Sequence, residues 1–133
     1  MSSSYHEFKD RGFWENDGPA GIAAAYLLRY LQELPGKPDW LLEFQELVKD
    51  NSKGYFVGWM HFSFDEFLVT EERRRLLSEV LQDVRHQLHE METMLDIEEL
   101  NALYTDDEHP LMFKGKVNKR IIIDVLDKFL LLI

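Results

Sequence analysis

The chain has no cysteine among its 133 residues. A disulfide framework and a thiolate zinc site are therefore excluded, and the composition suits the reducing cytoplasm. The N-terminal stretch lacks the basic and then apolar run of a signal peptide. Charged residues interrupt every apolar stretch well before the roughly 20 residues that cross a bilayer. Together with the length, which suits one domain, these absences predict a single-domain cytoplasmic protein (residues 1–133) with no membrane partner.

Recognisable catalytic motifs are also missing. No Gly-x-Ser-x-Gly elbow presents a nucleophile, and no glycine-rich loop is followed by the Lys-Ser/Thr pair of a phosphate-binding loop. Carboxylate pairs suited to general acid–base catalysis are abundant, but in so acidic a chain many such pairs arise by chance. We predict that the protein is not an enzyme and uses neither a cofactor nor a metal.

Positive charge is scarce in one part of the chain. The net charge is −10, and residues 65–108 contain 14 acidic and 4 basic residues, whereas the rest of the chain contains 11 of each. Within residues 79–108, ten acids face a single base, Arg85. Nucleic acid is an unsuitable partner because its phosphates attract lysine and arginine. An acidic region of this kind favours a basic protein partner, whose approach it accelerates.

Hydrophobic periodicity predicts an all-α fold, an irregular bundle of about five helices. The helices are expected over residues 18–36, 38–51, 71–95, 97–104 and 119–133, the last buried in the core. Thr70, Asp96 and Asn118 are predicted to be N-caps, and Ser63 with Glu66 a capping box for a short turn that begins at Phe64. Residues 1–12 are predicted to be a flexible N-terminal segment. The aromatic-rich residues 55–67 are expected to form a short strand or an irregular loop.

Two histidines lie three residues apart within the predicted long helix, in the stretch DVRHQLHE. Asp83, His86, His89 and Glu90 could in principle ligate a metal, which would make the protein a metal-dependent enzyme. On a helical wheel, however, His86 lies nearly opposite the apolar stripe that runs from Leu77 to Leu95. Metal sites in helical bundles use inward-facing ligands. We therefore interpret these residues as one turn of a solvated acidic face and keep the metal site as the weaker alternative.

The acidic face extends well beyond this turn, and its carboxylates are Glu79, Asp83, Glu90, Glu92, Asp96, Glu98, Glu99, Asp106, Asp107 and Glu108. A small, cysteine-free, acidic chain with these residues and without a catalytic motif resembles the immunity proteins of contact-dependent growth inhibition systems. The likeness covers the character of the whole chain and rests on no motif. It implies tight one-to-one binding in the cytoplasm to a basic cognate toxin, of which nucleases are the commonest class, with the toxin's active site covered.

The residues predicted to bind the partner combine this face with two aromatic anchors at its edge, Trp59 and Tyr104. The full set is Glu79, Asp83, His86, Glu90, Glu92, Asp96, Glu98, Tyr104, Asp106, Asp107, Glu108 and Trp59. Trp59 could instead belong to the core. A regulatory adaptor that binds some other basic protein is an alternative function with the same surface. The protein is expected to be a monomer.

Overall fold

The computed structural model describes residues 2–102 and 115–133. Ten elements follow one another along these residues: β1 (Ser3–Phe8), β2 (Arg11–Asn16), α1 (Asp17–Glu33), α2 (Asp39–Ser52), α3 (Phe64–Phe67), α4 (Glu71–His89), β3 (Met94–Asp96), α5 (Ile97–Ala102), β4 (Lys116–Asn118) and α6 (Lys119–Leu132). None of the helices among them is both long and apolar enough to cross a membrane.

The alanine- and leucine-rich helix α1 lies at the centre of the fold. It is buried along most of its length and packs against α2, α4 and α6. Its small alanine side chains allow the neighbouring helices to approach closely, and close packing of apolar atoms gives the core its stability. On α4, the predicted apolar stripe is buried at Leu77, Val80, Leu81, Val84 and Leu88. The predicted burial of α6 is confirmed, with six of its residues in the core.

The predicted N-caps form as expected. Thr70 Oγ1 accepts from the amide of Arg73 at 3.2 Å, and Asn118 Oδ1 accepts from the amide of Arg120 at 2.9 Å. The Asp96 carboxylate accepts from the amide of Glu98 at 3.1 Å. Each bond satisfies an amide that the first turn of a helix leaves without a partner. The predicted capping box before α3 is different: α3 does begin at Phe64, but the side chain of Ser63 makes no capping bond.

The prediction of an all-α fold is wrong, because the protein also contains two small antiparallel sheets. β1 pairs with β2, and β3 pairs with β4. β1 lies within residues 1–12, which were predicted to be flexible. Its side chains alternate, with Ser4, His6 and Phe8 buried and their neighbours exposed. This alternation supplies the buried face that holds a two-stranded hairpin against the helices, and the fold is therefore mixed α/β.

The turn of this hairpin has an unusual backbone conformation. Lys9 adopts a left-handed backbone conformation with φ of 56°, which glycine or asparagine normally provides in two-residue hairpins. The amide of Lys9 donates to the Asp65 carboxylate at 2.9 Å, so the turn is attached to the start of α3. Gly12 is required by space, because a Cβ atom there would overlap the ring of Tyr5 and the carbonyl of His6.

The chain reverses after α4 earlier than predicted. The helix ends at His89 instead of continuing to residue 95, and Leu95 is buried as the central residue of β3 opposite Val117 of β4. Lys119 Nζ donates to the carbonyls of His89 at 2.7 Å and Met91 at 2.8 Å. A cation at this position satisfies carbonyls that the last turn leaves free and opposes the negative end of the helix dipole. This reversal brings residues 90–99 back alongside α1.

Candidate partner-binding groove

A groove of about 430 Å³ opens between α1 and the segment that follows α4. One wall of the groove is formed by α1. The other wall is formed by residues 90–92, which follow α4, and by residues of β3 and α5. The lining residues are Tyr26, Arg29, Glu90, Met91, Glu92, Met94, Leu95, Asp96 and Glu99. Carboxylates, thioethers and an aromatic ring are thus combined in one depression. We call it the acidic groove.

Four carboxylates of the acidic groove are exposed to solvent, those of Glu90, Glu92, Asp96 and Glu99. No lysine or arginine among the described residues pairs with Glu90, Glu92 or Glu99. Their charge is therefore available to a cation from outside. Three of the four were predicted to bind the partner, and Glu99 was recognised only as part of the acidic run.

Among the described residues, Arg29 is the one base that lines the acidic groove. Its guanidinium lies 5.0 Å from the centre of the Tyr26 ring, a cation–π arrangement. Burial raises the pKa of Tyr26; Arg29 opposes that rise, while the carboxylates of Glu99 and Asp96 add to it. The tyrosine hydroxyl therefore stays neutral and is a hydrogen-bond donor at physiological pH.

Arg85, the single base of residues 79–108, does not neutralise the acidic face. Its Nε donates to the Asp127 carboxylate of α6 at 2.6 Å, and this bond raises the pKa of the guanidinium. The side chain is thereby directed toward α6. Arg85 is the only base near residues 90–99 in the sequence, and it does not offset their negative charge because it pairs with Asp127.

The other predicted residues of α4 lie outside the acidic groove. Asp83 accepts from the Tyr30 hydroxyl at 2.6 Å, which raises the pKa of Tyr30 to about 12 and holds Asp83 to the fold. His86 is 76% exposed and lies 4.0 Å from a carboxylate oxygen of Glu90. Glu79 is exposed beside Arg75 near the middle of the helix. α4 therefore contributes a general acidic surface and only its C-terminal end reaches the groove.

The remaining predicted residues fall into three places. Glu98 is exposed on α5 but does not line the acidic groove. Trp59 is 60% exposed, yet it lies near the start of α1, where the Gly58 amide donates to Asp17 at 2.6 Å. That point is about 14–18 Å along the helix from the groove, at 1.5 Å per residue. The last four predicted residues lie outside the described part of the chain, and these are Tyr104, Asp106, Asp107 and Glu108.

The four residues of the metal-site alternative, Asp83, His86, His89 and Glu90, are all exposed at the C-terminal half of α4 and directly after it. Among residues 2–102 and 115–133, no group of three or more histidine, aspartate or glutamate side chains is arranged to hold a metal ion. Asp83 is bound to Tyr30, and His86 and His89 are both exposed on α4. The geometry of these residues is that of a solvated polar helix face.

Sequence reasoning missed the contribution of α1 to the acidic groove. Tyr26 and Arg29 are three residues apart, a spacing that places both on the same side of a helix. That signal was available in the sequence. Which segment faces them was not, since it depends on the pairing of β3 with β4 across a separation of more than twenty residues.

Comparison with known proteins identifies no relationship: the chain matches no protein-family model, no curated protein and no solved structure.

Proposed function

We propose that this protein is a cytoplasmic binding protein that captures a basic protein through the acidic groove. Within that class, we propose the role of an immunity protein that covers the active site of a basic toxin. The observation that carries the proposal is the set of four exposed carboxylates around one groove, from which Arg85 is turned away. Such an arrangement gives a cationic partner both faster association and a defined docking position.

The acidic groove also suits the shape of lysine and arginine side chains. Their charged ends pair with carboxylates, and their long apolar stems pack on apolar surface. Met91, Met94 and Tyr26 supply that surface beside the carboxylates. Methionine adapts to irregular partners because its side chain is flexible and polarisable. A nuclease is the toxin class that fits best, because an active site that holds phosphates presents lysines and arginines.

The proposal is tested by calorimetry with the product of the gene adjacent to the one that encodes this chain. The groove variant is Glu90→Gln/Glu92→Gln/Glu99→Gln, and the matched control is Glu33→Gln/Glu43→Gln/Glu46→Gln, which removes three exposed carboxylates of α1 and α2. We expect the groove variant to bind about 100-fold more weakly, since truncating one partner of a buried charge pair costs about 2–5 kcal/mol. The control should retain its affinity.

Three results would overturn the proposal. The first is an adjacent gene product that does not bind at all. The second is equal loss of affinity in the groove variant and its control, which would make the effect one of net charge only. The third is an affinity that does not fall as salt is added, because screening weakens exposed charge pairs. Protection of growing cells against the adjacent gene product then separates an immunity protein from an adaptor.

A further inference from the structure

Strand β2 forms one edge of the N-terminal hairpin, and the register of the hairpin shows which of its main-chain groups face outward. The Asp17 amide donates to the Ser2 carbonyl at 3.1 Å, so residues 2 and 17 are a hydrogen-bonded pair of the antiparallel ladder. Such pairs recur at every second residue, and the N–H and C=O groups of Gly12 and Trp14 therefore point away from β1. None of these groups bonds to another group of residues 2–102 or 115–133.

The two edges of the hairpin differ in what lies beside them. The edge formed by β1 is attached to the segment after α2, since the Met60 amide donates to Ser4 Oγ at 2.8 Å and the Lys9 amide donates to Asp65 at 2.9 Å. The edge formed by β2 has no strand beside it among the described residues, and neither a proline nor a bulge interrupts it. Trp14 on this edge is 67% exposed. Unpaired main-chain groups along an open strand are the groups to which an added strand bonds.

An apolar groove with basic side chains at its border lies between this open edge and α6. Its volume is about 310 Å³, and the residues that line it are Arg11, Gly12, Phe13, Lys128, Leu131 and Leu132. We call it the edge groove; it shares no residue with the acidic groove. Leu131 is 80% exposed, more than any other large apolar side chain among the described residues. Because alternate side chains of a strand point to the same face, a strand added to β2 directs every second side chain toward this groove.

The charges at the edge groove are distributed unequally along β2. Glu15, at one end, is only 12% exposed on its side chain and pairs with Lys128 at 3.2 Å. Arg11, at the other end, donates to the carbonyl of Leu132 at 3.0 Å, and no carboxylate of the described residues pairs with it. Opposite charges that face each other across neighbouring strands stabilise a sheet. An added strand is therefore favoured when its residue opposite Arg11 is acidic.

We propose that the open edge of β2 binds an extended segment of another protein, which joins the hairpin as a third, antiparallel strand. The register follows from the outward groups: the segment forms one hydrogen-bonded pair with Trp14 and, two residues later, a second pair with Gly12. The residue between them lies opposite Phe13 and is apolar, because its side chain enters the edge groove against Leu131. The residue after the second pair lies opposite Arg11 and is acidic. Binding at this edge is independent of the partner of the acidic groove.

The proposal is tested by NMR titration of the whole protein with the blocked peptide acetyl-Thr-Thr-Leu-Thr-Glu-Thr-amide. We expect saturable shifts of the Gly12 and Trp14 amide signals. A control peptide with N-methyl groups on its second and fourth residues keeps every side chain but loses the main-chain donors, and it should not bind. A second control with lysine in place of glutamate should bind about tenfold more weakly, because a like charge then faces Arg11. Absence of a saturable shift with the first peptide, or equal binding of the N-methylated one, overturns the proposal.

Variants of the protein separate main-chain pairing from contact with exposed side chains. Trp14→Pro removes an outward donor and should abolish binding, whereas Trp14→Thr removes the ring but keeps the donor and should bind. Arg11→Gln should make the glutamate and lysine peptides bind equally, and Arg120→Gln, on the exposed side of α6, is its matched control. The Arg11→Gln result stands even if Trp14→Pro does not fold, and a preference for glutamate that survives in Arg11→Gln overturns the register.

Sedimentation of the protein without peptide tests the other occupant of the edge, a second copy of the chain. The proposal predicts that Trp14→Thr and the unaltered protein sediment identically as monomers. A dimer that the N-methylated peptide leaves intact and the unmodified peptide dissociates would assign the edge of β2 to self-association, and the proposal would be wrong.

Discussion

The guanidinium of Arg85 donates to the carboxylate of Asp127 at 2.6 Å and ties α4 to α6. Both side chains are more than a third exposed, so the pair is screened by solvent and contributes little to stability. Its main consequence is that it fixes the direction in which the Arg85 side chain points. The only base of residues 79–108 is held beside α6 and does not pair with a carboxylate of the acidic groove.

Removing this pair is expected to leave both stability and binding nearly unchanged. A double-mutant cycle with Arg85→Gln and Asp127→Asn should give a coupling free energy below about 1 kcal/mol in urea denaturation. The affinity for the basic partner should stay the same in Arg85→Gln, since the guanidinium faces away from the groove. A clear loss of affinity in Arg85→Gln would mean that Arg85 itself contacts the partner.

Acid should weaken the fold through His6. Burial lowers the pKa of His6 from 6.5 to about 4, with the nearby carboxylates of Asp17 and Glu15 opposing the shift and His61 adding to it. The folded protein therefore holds the neutral ring, whereas the unfolded chain takes up a proton as the pH falls below 6.5. The free energy of unfolding should decrease between pH 6.5 and pH 4 by up to about 3 kcal/mol.

The His6→Phe variant isolates this effect from the titration of the many carboxylates. Urea denaturation of both proteins across the same pH range gives the difference in unfolding free energy at each pH. We expect that difference to grow as the pH falls from 6.5 to 4 and to level off below 4. A constant difference would show that His6 titrates normally and that the ring is not enclosed as described.

Asp17 should be among the most sensitive polar positions. Its carboxylate accepts from Ser4 Oγ and from the Gly58 amide, both at 2.6 Å, and so joins the hairpin, α1 and the segment after α2. Burial alone would raise the pKa of Asp17, but the hydrogen bonds from Ser4, Ser2 and Gly58 outweigh it and the pKa is lowered.

Replacement of Asp17 by alanine is expected to cost about 3 kcal/mol in urea denaturation, because it leaves a buried hydroxyl and a backbone amide without a partner. Asp17→Asn keeps one acceptor oxygen and should cost less. Because the carboxylate is the stabilising form, its contribution should be lost only as the pH falls below its ordinary pKa of 3.8. A cost below about 0.5 kcal/mol for alanine, the range of ordinary surface substitutions, would contradict the network.

Two glycines of the N-terminal region should respond to alanine in opposite directions. Gly12→Ala forces apart the Tyr5 ring and the His6 carbonyl and is expected to destabilise the fold by about 1–3 kcal/mol. Gly18→Ala meets nothing within 4 Å and lies in the first turn of α1, so it should stabilise the fold by up to about 1 kcal/mol. Thermal denaturation measures both, and equal effects would contradict the hairpin register.

The helices could be predicted from the sequence because their signals are local. Apolar spacing places α1, α2, α4 and α6, and the caps at Thr70 and Asn118 mark where two of them begin. The N-terminal hairpin could not be predicted with the same ease. Its turn is Lys9-Asp10, which lacks the Asn-Gly or Asp-Gly pair typical of two-residue turns. The remaining signal was the alternation of Ser4, His6 and Phe8 with their exposed neighbours. It is difficult to recognise in the sequence because Ser4 is small and His6 is polar, so the buried positions do not form an apolar series.

The candidate site was predictable only in part, for a similar reason. The concentration of acids in residues 79–108 is visible in the sequence, and it identifies Glu90, Glu92 and Asp96. The groove itself arises from non-local contacts, the pairing of β3 with β4 and the return of the chain against Tyr26 and Arg29. Periodicity within one helix contains no information about either contact.

The most direct test of the central claim is amide hydrogen exchange of the complex with the product of the adjacent gene. The account predicts slowed exchange in residues 90–99 and in the part of α1 around Tyr26 and Arg29. It also predicts unchanged exchange in the hairpin, which contributes no residue to the acidic groove. Slowed exchange confined to α2, with residues 90–99 exchanging as fast as in the unbound protein, would contradict the account.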